Sequence, residues 1–172
     1  MTILCTTNRP GSNSMKIAEI YRAALVSLGQ ECQVLDLRTV PAQWVEDSSF
    51  SDNTPEFDKV VGRYIRDVEK LILIVPEYNG SFPGYFKYFM DACNWGDFNG
   101  RKMALMGLAT GRSGNLRGLD HLTGLLHFLG SEVYAKKVYL SQVNHALSPG
   151  GELTNETTQD EIITQLKGFI AF

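Results

Sequence analysis

The stretch that decides the fold reads Leu71-Ile72-Leu73-Ile74-Val75-Pro76-Glu77-Tyr78-Asn79-Gly80-Ser81. Its first five residues are all apolar, as in a strand that is buried on both faces of a parallel sheet. The next six residues are mostly polar or turn-forming, and a helix-like pattern opens after them at Pro83-Gly84. The stretch therefore predicts a buried strand that delivers a polar loop to the carboxyl edge of a sheet, which is where open α/β sheets bind ligands.

Strands and helices alternate along the rest of the chain. The hydrophobic patterns predict strands over residues 2–6, 32–37, 71–75, 102–109 and 133–140, and helices over residues 17–28, 55–68, 83–93, 119–129 and 162–170. Strands that alternate with helices in this way predict an α/β fold with a five-stranded parallel sheet. A ligand loop after the first strand favours the flavodoxin-like strand order 2-1-3-4-5, in a three-layer α/β/α sandwich.

Two shorter segments carry weaker patterns. Residues 41–54 are mostly polar and are predicted to be irregular, although they include Trp44 and Phe50. Thr158 and Glu161 have the spacing of a capping box and are interpreted as the start of the last helix. With 172 residues and no linker or internal repeat, the chain is expected to form one domain over residues 1–172.

The composition limits the classes of partner. A hydrophobic fraction of 44% and a charged fraction of 20% are typical of a soluble globular protein. The formal net charge of −3 argues against a nucleic-acid partner, because phosphate binding needs clustered cations. No apolar run reaches the ~20 residues that span a bilayer, and the N-terminus lacks the pattern of a signal peptide. We therefore expect no membrane partner and a cytoplasmic location.

The cysteines and histidines predict neither a metal site nor a catalytic side chain. Cys5, Cys32 and Cys93 are far apart in the sequence and are interpreted as buried structural thiols. The histidines, at positions 121, 127 and 145, show neither metal-ligand spacing nor the order of a catalytic triad.

A polar segment after the first predicted strand, residues 6–14, is named the first loop. It reads Thr6-Thr7-Asn8-Arg9-Pro10-Gly11-Ser12-Asn13-Ser14. It supplies hydroxyls, an amide, a guanidinium and the start of the next helix, and these groups suit a phosphomonoester. The glycine motifs of ATP-type and dinucleotide sites are missing. On its own, the segment also fits an ordinary polar turn before a helix.

Two further segments are expected at the same edge of the sheet: residues 76–81, the second loop, and residues 110–115, the third loop. The second loop would offer backbone groups to the edge of a planar ring, and Arg112 of the third would place a cation beside that ring. Asn79-Gly80 is also a hairpin signal, but the helical pattern after it leads us to reject a hairpin. Glu77 is interpreted as a rim residue, and a solvent-facing Arg112 is an equal alternative. The first and second loops together suggest a phosphate-bearing planar cofactor, for which flavin mononucleotide (FMN) is the candidate.

These loops resemble the three flavin loops of the NADPH-dependent FMN reductase family, a flavodoxin-like family that includes quinone, azo-dye and chromate reductases. The resemblance implies that the FMN phosphate is held by Thr7, Asn8, Arg9, Ser12 and Ser14, together with Met15. It implies that the ring is lined, largely through the backbone, by Pro76, Glu77, Tyr78, Asn79, Gly80 and Ser81. It also implies that the pyrimidine side of the ring is contacted by Thr110, Gly111 and Arg112.

The same resemblance implies an activity. NADPH or NADH is expected to pass a hydride to bound FMN, and electrons then go to a small-molecule acceptor such as a flavin, quinone, azo compound or metal oxyanion. The family also implies a homodimer or homotetramer, and Trp44 and Phe50 are candidates to roof the site from a partner subunit or to plug their own loop. One alternative is a non-enzymatic flavodoxin-like protein, either an electron carrier or an FMN-binding regulatory protein. Another is a Rossmann-like module that binds no flavin.

Overall fold

The computed structural model describes residues 1–49 and 52–172. The strands are β1 (Thr2–Cys5), β2 (Gln33–Asp36), β3 (Lys70–Pro76), β4 (Lys102–Leu108), β5 (Glu132–Val133) and β6 (Val138–Leu140). The helices are α1 (Ser14–Ser27), α2 (Ala42–Ser48), α3 (Pro55–Val61), α4 (Gly84–Ala92), α5 (Leu116–Phe128), α6 (Val143–Ala146) and α7 (Glu156–Ala171). A 3₁₀ turn at Leu37–Thr39 follows β2, and a π turn at Gly62–Arg66 extends α3.

The strands form one sheet in the order β2-β1-β3-β4-β5, and β6 also pairs with β4. Every described pairing is parallel. The longest, between β3 and β4, runs from the pair Lys70 and Lys102 to the pair Pro76 and Leu108. This confirms the predicted order 2-1-3-4-5, and it places the carboxyl ends of β1, β3 and β4 side by side.

Helices cover both faces of the sheet. Leu71, Leu73 and Val75 of β3 pack into a core cluster with apolar side chains of α2, α3, α4 and α5. The alternate residues Ile72 and Ile74 pack on the other face against side chains of α1 and α7. The three-layer sandwich is confirmed, because a strand with apolar residues on both faces needs helices on both. None of the helices in residues 1–49 and 52–172 combines the length and hydropathy that a membrane span requires.

The structure corrects two predictions about helices. Residues 41–54 are not irregular throughout, because Ala42–Ser48 form α2 with Val45 fully buried and Trp44 packed against the same cluster. Two apolar side chains at the core thus outweighed a polar local composition. The capping box at Thr158 is also wrong, since α7 begins at Glu156 and Asn155 caps it by accepting a hydrogen bond from the Thr157 N–H at 2.9 Å. Trp44 therefore packs against the core cluster of its own chain. Phe50 lies outside the described residues.

The predicted fifth strand, residues 133–140, is divided in two. The paired residues are Met103 with Val133 and Met106 with Val138, so two residues of β4 face four residues, 134–137, of the other segment. These additional residues interrupt the backbone hydrogen bonds to β4, and the interruption separates β5 from β6. The sequence gives no sign of it, because residues 133–140 are compatible with a continuous strand.

A buried side-chain amide supplies hydrogen bonds where the pairing with β4 is interrupted. Gln165 of α7 is fully buried, and its Nε2 donates to the carbonyl oxygens of Leu105 and Lys136, each at 2.9 Å. Its Oε1 accepts a hydrogen bond of 2.7 Å from the hydroxyl of Tyr21 on α1. One glutamine therefore joins the interrupted strand to both helices on this face, and it satisfies polar groups that would be costly to bury unpaired.

We predict that Gln165→Leu lowers the free energy of unfolding by about 2–4 kcal/mol, because it leaves the buried Leu105 carbonyl, the Lys136 carbonyl and the buried Tyr21 hydroxyl without their partner. Urea unfolding of the two proteins checks this. The matched control is Gln159→Leu on the exposed side of the same helix, which removes a single hydrogen bond to the Leu153 carbonyl and should cost at most about 1 kcal/mol. Equal losses in the two variants would contradict the role given to Gln165.

Candidate functional site

A cleft of about 220 Å³ opens at the carboxyl edge of the sheet, where the loops after β1, β3 and β4 meet. Its lining residues are Arg9, Gly11, Ser12, Asn13, Pro76, Glu77, Tyr78, Leu108, Ala109, Thr110, Val143 and Asn144. Each of the three predicted loops contributes to the wall. Their convergence follows from the parallel order of the strands, which brings the carboxyl ends of β1, β3 and β4 to one edge.

The first loop forms one end of the cleft. Its base is fixed to the sheet, because the N–H and the hydroxyl of Thr6 both donate to the carbonyl oxygen of Ile74, at 3.2 and 3.0 Å. Ser12 and Ser14 share a hydroxyl–hydroxyl hydrogen bond of 2.9 Å. α1 begins at Ser14, whose N–H donates to the Ser12 hydroxyl at 3.2 Å. The next N–H groups of the first turn, of Met15 and Lys16, have no intrahelical acceptor.

The cation of this end is Arg9, which is exposed on the cleft wall. Within the two described segments, its guanidinium forms no ion pair with a carboxylate. Gly11, close to it in the same loop, has a φ of +69°, a conformation that residues with a side chain rarely adopt. This end of the cleft therefore combines an available positive charge, hydroxyl groups and a helix N-terminus, which are the groups that bind an anion.

Four of the predicted phosphate residues do not line the cleft. Thr7 is only 1% exposed, and its Oγ1 is engaged by the Arg9 N–H at 3.1 Å and by the Tyr78 hydroxyl at 2.7 Å. Asn8 is exposed outside the lining. Met15 points its sulfur at Cys5, whose thiol donates to it at 3.4 Å. Ser14 is also buried and outside the lining, but its hydroxyl is bonded to Ser12, which lines the cleft.

The second loop contains a turn that the helical pattern after it had led us to reject. The N–H of Tyr78 donates to the Ser81 carbonyl at 2.9 Å and the N–H of Ser81 donates to the Tyr78 carbonyl at 3.1 Å. Asn79 and Gly80 between them have φ values of 53° and 79°, as in the tightest hairpin turns. The prediction that Asn79-Gly80 forms no hairpin turn was therefore wrong, because these two residues tolerate two successive positive φ angles. No strand continues from it, since Pro83 ends the segment and α4 begins at Gly84.

The third loop is bonded to the second. The Glu77 N–H donates to the Leu108 carbonyl at 2.8 Å, which extends the ladder between β3 and β4 by one rung. Beyond it, the Ser113 hydroxyl donates to the Glu77 carboxylate, and the buried Asn115 amide donates to the Val75 carbonyl at 3.0 Å. Glu77, predicted as a rim residue, lines the cleft with its carboxylate held by a neighbouring loop.

The glycines of the third loop allow it to lie close to the sheet. A Cβ on Gly114 would lie 2.8 Å from the Cβ of Tyr139, and Gly114 has a φ of +57°. Thr110 of this loop lines the cleft, whereas Gly111 and Arg112 are exposed outside the lining. Asn79, Gly80 and Ser81 also lie outside it, so the structure brings only part of the predicted ring contacts to the wall.

One wall was not predicted from the sequence. Val143 and Asn144, in the short helix α6, also line the cleft. The Asn13 amide donates to the Asn144 side-chain oxygen at 3.1 Å, which joins α6 to the first loop. A four-residue helix leaves no periodic pattern, so only the pairing of β6 with β4 reveals that these residues reach the site.

Cys5 and His121 each contact a predicted site residue, Met15 and Ser81 respectively. Burial, with a smaller contribution from Asp36, raises the pKa of the Cys5 thiol to about 12, so this group is a neutral thiol at physiological pH. His121 shares a hydrogen bond of 3.0 Å with the Ser81 hydroxyl, through Nδ1. Among the described residues, no group of three or more His, Cys, Asp or Glu side chains could hold a metal ion.

Known proteins resemble this chain over most of its length. It is 28% identical over 167 residues to an NAD(P)H-dependent FMN reductase of Pseudomonas aeruginosa, a match that covers 92% of this chain and 86% of that protein. It is 23% identical over 154 residues to a 2-hydroxy-1,4-benzoquinone reductase of a Burkholderia species, with coverages of 87% and 84%. Both relatives are therefore matched as whole chains of about this length and not through one shared motif.

The fold has a close structural counterpart. FerB, a flavoenzyme NAD(P)H:(acceptor) oxidoreductase from Paracoccus denitrificans, superimposes with a TM-score of 0.81 at 20% identity, over 99% of this chain and 94% of that one. At this level of identity the likeness establishes the fold alone. The model of the family described as NADPH-dependent FMN reductase matches residues 1–145. The chain therefore belongs to the NADPH-dependent FMN reductase family.

Proposed function

We propose that this protein oxidises NADPH or NADH and passes the electrons, through FMN held in the cleft, to a small-molecule acceptor. Membership of the family makes it an NAD(P)H-dependent, FMN-containing oxidoreductase. The observation that carries the assignment of the site is the convergence of an anion-binding end and a backbone-rich end in one cleft. These are the two requirements of a phosphate-bearing planar cofactor.

The anion-binding end fits the FMN phosphate. Arg9 offers paired N–H donors with no competing carboxylate among the described residues, and Ser12 and Ser14 offer hydroxyls next to the first turn of α1. Charge-assisted hydrogen bonds of this kind are stronger than neutral ones. We assign the phosphate to these three residues and to the backbone of Asn8 and Met15. The bonded hydroxyl of Thr7 is assigned to the loop structure instead.

The opposite end fits the flavin ring. Pro76, Glu77 and Tyr78 lie on the wall, and the turn at 78–81 holds their backbone in place. Thr110 also lines the cleft, and the exposed Gly111 and Arg112 follow it in the chain. The cation of Arg112 would favour negative charge on a reduced ring. FMN supplies, when bound, the capacity to take a hydride from a nicotinamide and to return electrons to an acceptor. The protein contributes binding, orientation and electrostatics, and no side chain is assigned as an acid or base.

The acceptor is proposed to be a small molecule such as a quinone or a free flavin, with azo compounds and metal oxyanions as further candidates. The two curated relatives are a flavin reductase and a quinone reductase by name, which supports an enzyme over a non-enzymatic electron carrier. A homodimer or homotetramer and a cytoplasmic location complete the proposal. The nicotinamide donor is either NADPH or NADH.

The activity is tested by mixing the FMN-reconstituted protein with NADPH or NADH under anaerobic conditions in a stopped-flow spectrophotometer. We expect the flavin absorbance to fall rapidly, and to return when a quinone is added. Free FMN at the same concentration is the control for non-enzymatic reduction. A bleaching rate no faster than that of free FMN with either nicotinamide would favour the electron-carrier alternative. A protein that binds no FMN at all would contradict both.

The phosphate assignment predicts that Arg9→Ala weakens FMN binding by about 1.5–3 kcal/mol, or roughly 10- to 150-fold in Kd, because a charge-assisted hydrogen bond is lost. Riboflavin, which has the same ring without the phosphate, should bind both proteins equally. Arg22→Ala is the matched control, since Arg22 is an exposed arginine of α1 that pairs with Glu19 instead. An unchanged Kd for FMN in the Arg9 variant would refute this role.

A further inference from the structure

A hydrogen bond between side chains joins the first loop to the second. The hydroxyl of Tyr78, in the second loop, lies 2.7 Å from the Oγ1 of Thr7, in the first loop. The two residues are 71 positions apart in the sequence. Tyr78 lines the cleft, while Thr7 lies beneath the wall with only 1% of its surface exposed.

The same threonine oxygen also fixes the backbone of the phosphate end. The N–H of Arg9 donates to Thr7 Oγ1 at 3.1 Å. A hydroxyl group can donate one hydrogen bond and accept two, so Thr7 can serve both contacts at once. One buried oxygen therefore sets the position of the Arg9 backbone and of the Tyr78 phenol.

The other described hydrogen bonds of the second loop lead away from the first loop. The Glu77 N–H is bonded to β4, the Glu77 carboxylate to Ser113 and the Ser81 hydroxyl to His121, and the turn is closed between Tyr78 and Ser81. The Tyr78 ring is rigid, so the hydroxyl contact fixes where the loop stands relative to the first loop. Thr6 anchors the base of the first loop to Ile74 of β3, but beyond the strand ends the Thr7–Tyr78 contact is the described hydrogen bond between the two loops.

We infer that Thr7 and Tyr78 are positioning residues that couple recognition of the FMN phosphate to the arrangement of the ring-binding loop, an inference that rests on the proposed function. Binding of the phosphate at Arg9 stabilises the first loop, and through Thr7 and Tyr78 it stabilises the second loop in its ring-binding position. Because coupling between two sites is reciprocal, the ring strengthens phosphate binding by the same factor. A tyrosine of the ring loop thus contributes to the preference for FMN over riboflavin.

The test compares the Kd values of FMN and riboflavin, measured by quenching of flavin fluorescence, in the wild type, Tyr78→Phe, Thr7→Val, Thr7→Ser and the Tyr78→Phe/Thr7→Val double variant. We expect the FMN preference, the ratio of the riboflavin Kd to the FMN Kd, to fall by about 3- to 10-fold in Tyr78→Phe and in Thr7→Val. Thr7→Ser keeps the hydroxyl and should restore the preference. The FMN preference of the double variant should be no lower than that of Thr7→Val alone.

The control is Tyr64→Phe, which removes the same atom from a half-buried tyrosine in the π turn that precedes β3, and which should leave the preference unchanged. A Tyr78→Phe protein that loses affinity for both flavins by one common factor would overturn the coupling, since the tyrosine would then act on the ring alone. Additive effects in the double variant would overturn it as well. In either case FMN binding by the wild type would leave the proposed function standing, whereas a wild type that binds neither flavin would overturn both.

The hydrogen bond between Thr7 and Tyr78 can also be tested in the protein without flavin. In urea unfolding of the protein without flavin, the losses of stability in Thr7→Val and Tyr78→Phe should be smaller together than their sum, because both remove one hydrogen bond. Tyr78→Phe keeps the ring of a half-buried residue and is expected to fold even if Thr7→Val is poorly tolerated. Strictly additive losses would contradict the contact between the two hydroxyls.

Discussion

The parallel pairing of β3 with β4 is the constraint on which the rest of the structure depends. It runs through seven residue pairs and ends with Pro76 beside Leu108. The Glu77 N–H then adds one further hydrogen bond to the Leu108 carbonyl at 2.8 Å. A shift of this register by one residue would turn every side chain of β3 to the opposite face. The register therefore fixes both the two core clusters and the starting points of the second and third loops.

Side-chain hydrogen bonds between loops complete what the sheet begins. Ser113 donates to Glu77 and joins the third loop to the second, while Tyr78 and Thr7 join the second loop to the first. Asn13 and Asn144 extend the series to α6. Each wall of the cleft is thus held by its neighbour, and a cofactor that contacts several walls would meet a surface already arranged for it. Such preorganisation reduces the ordering cost of binding.

The sequence predicted the fold more accurately than it predicted individual contacts. The apolar residues of β3 and the loops after β1, β3 and β4 led to the correct strand order and to the edge of the sheet at which the cleft opens. The residues that line the cleft were predicted in part, because Thr7 carries a hydroxyl suited to a phosphate but lies buried under Tyr78. Val143 and Asn144 were missed because a four-residue helix has no measurable period. The turn at Asn79-Gly80 was rejected because of the helical pattern after it, although its own two residues determine its geometry.

The sequence by itself determined the order of elements, the burial of β3 on both faces and the chemistry available in each loop, since these depend on residue type and short-range periodicity. Only the tertiary structure decided which hydroxyls remain free, how the fifth strand is divided and which segment closes the cleft. Those properties depend on contacts between residues far apart in the chain, such as Gln165 with Leu105 and Thr7 with Tyr78. A hydrogen bond between distant side chains requires a particular packing of the whole sheet and its helices, and no local pattern in the sequence records it.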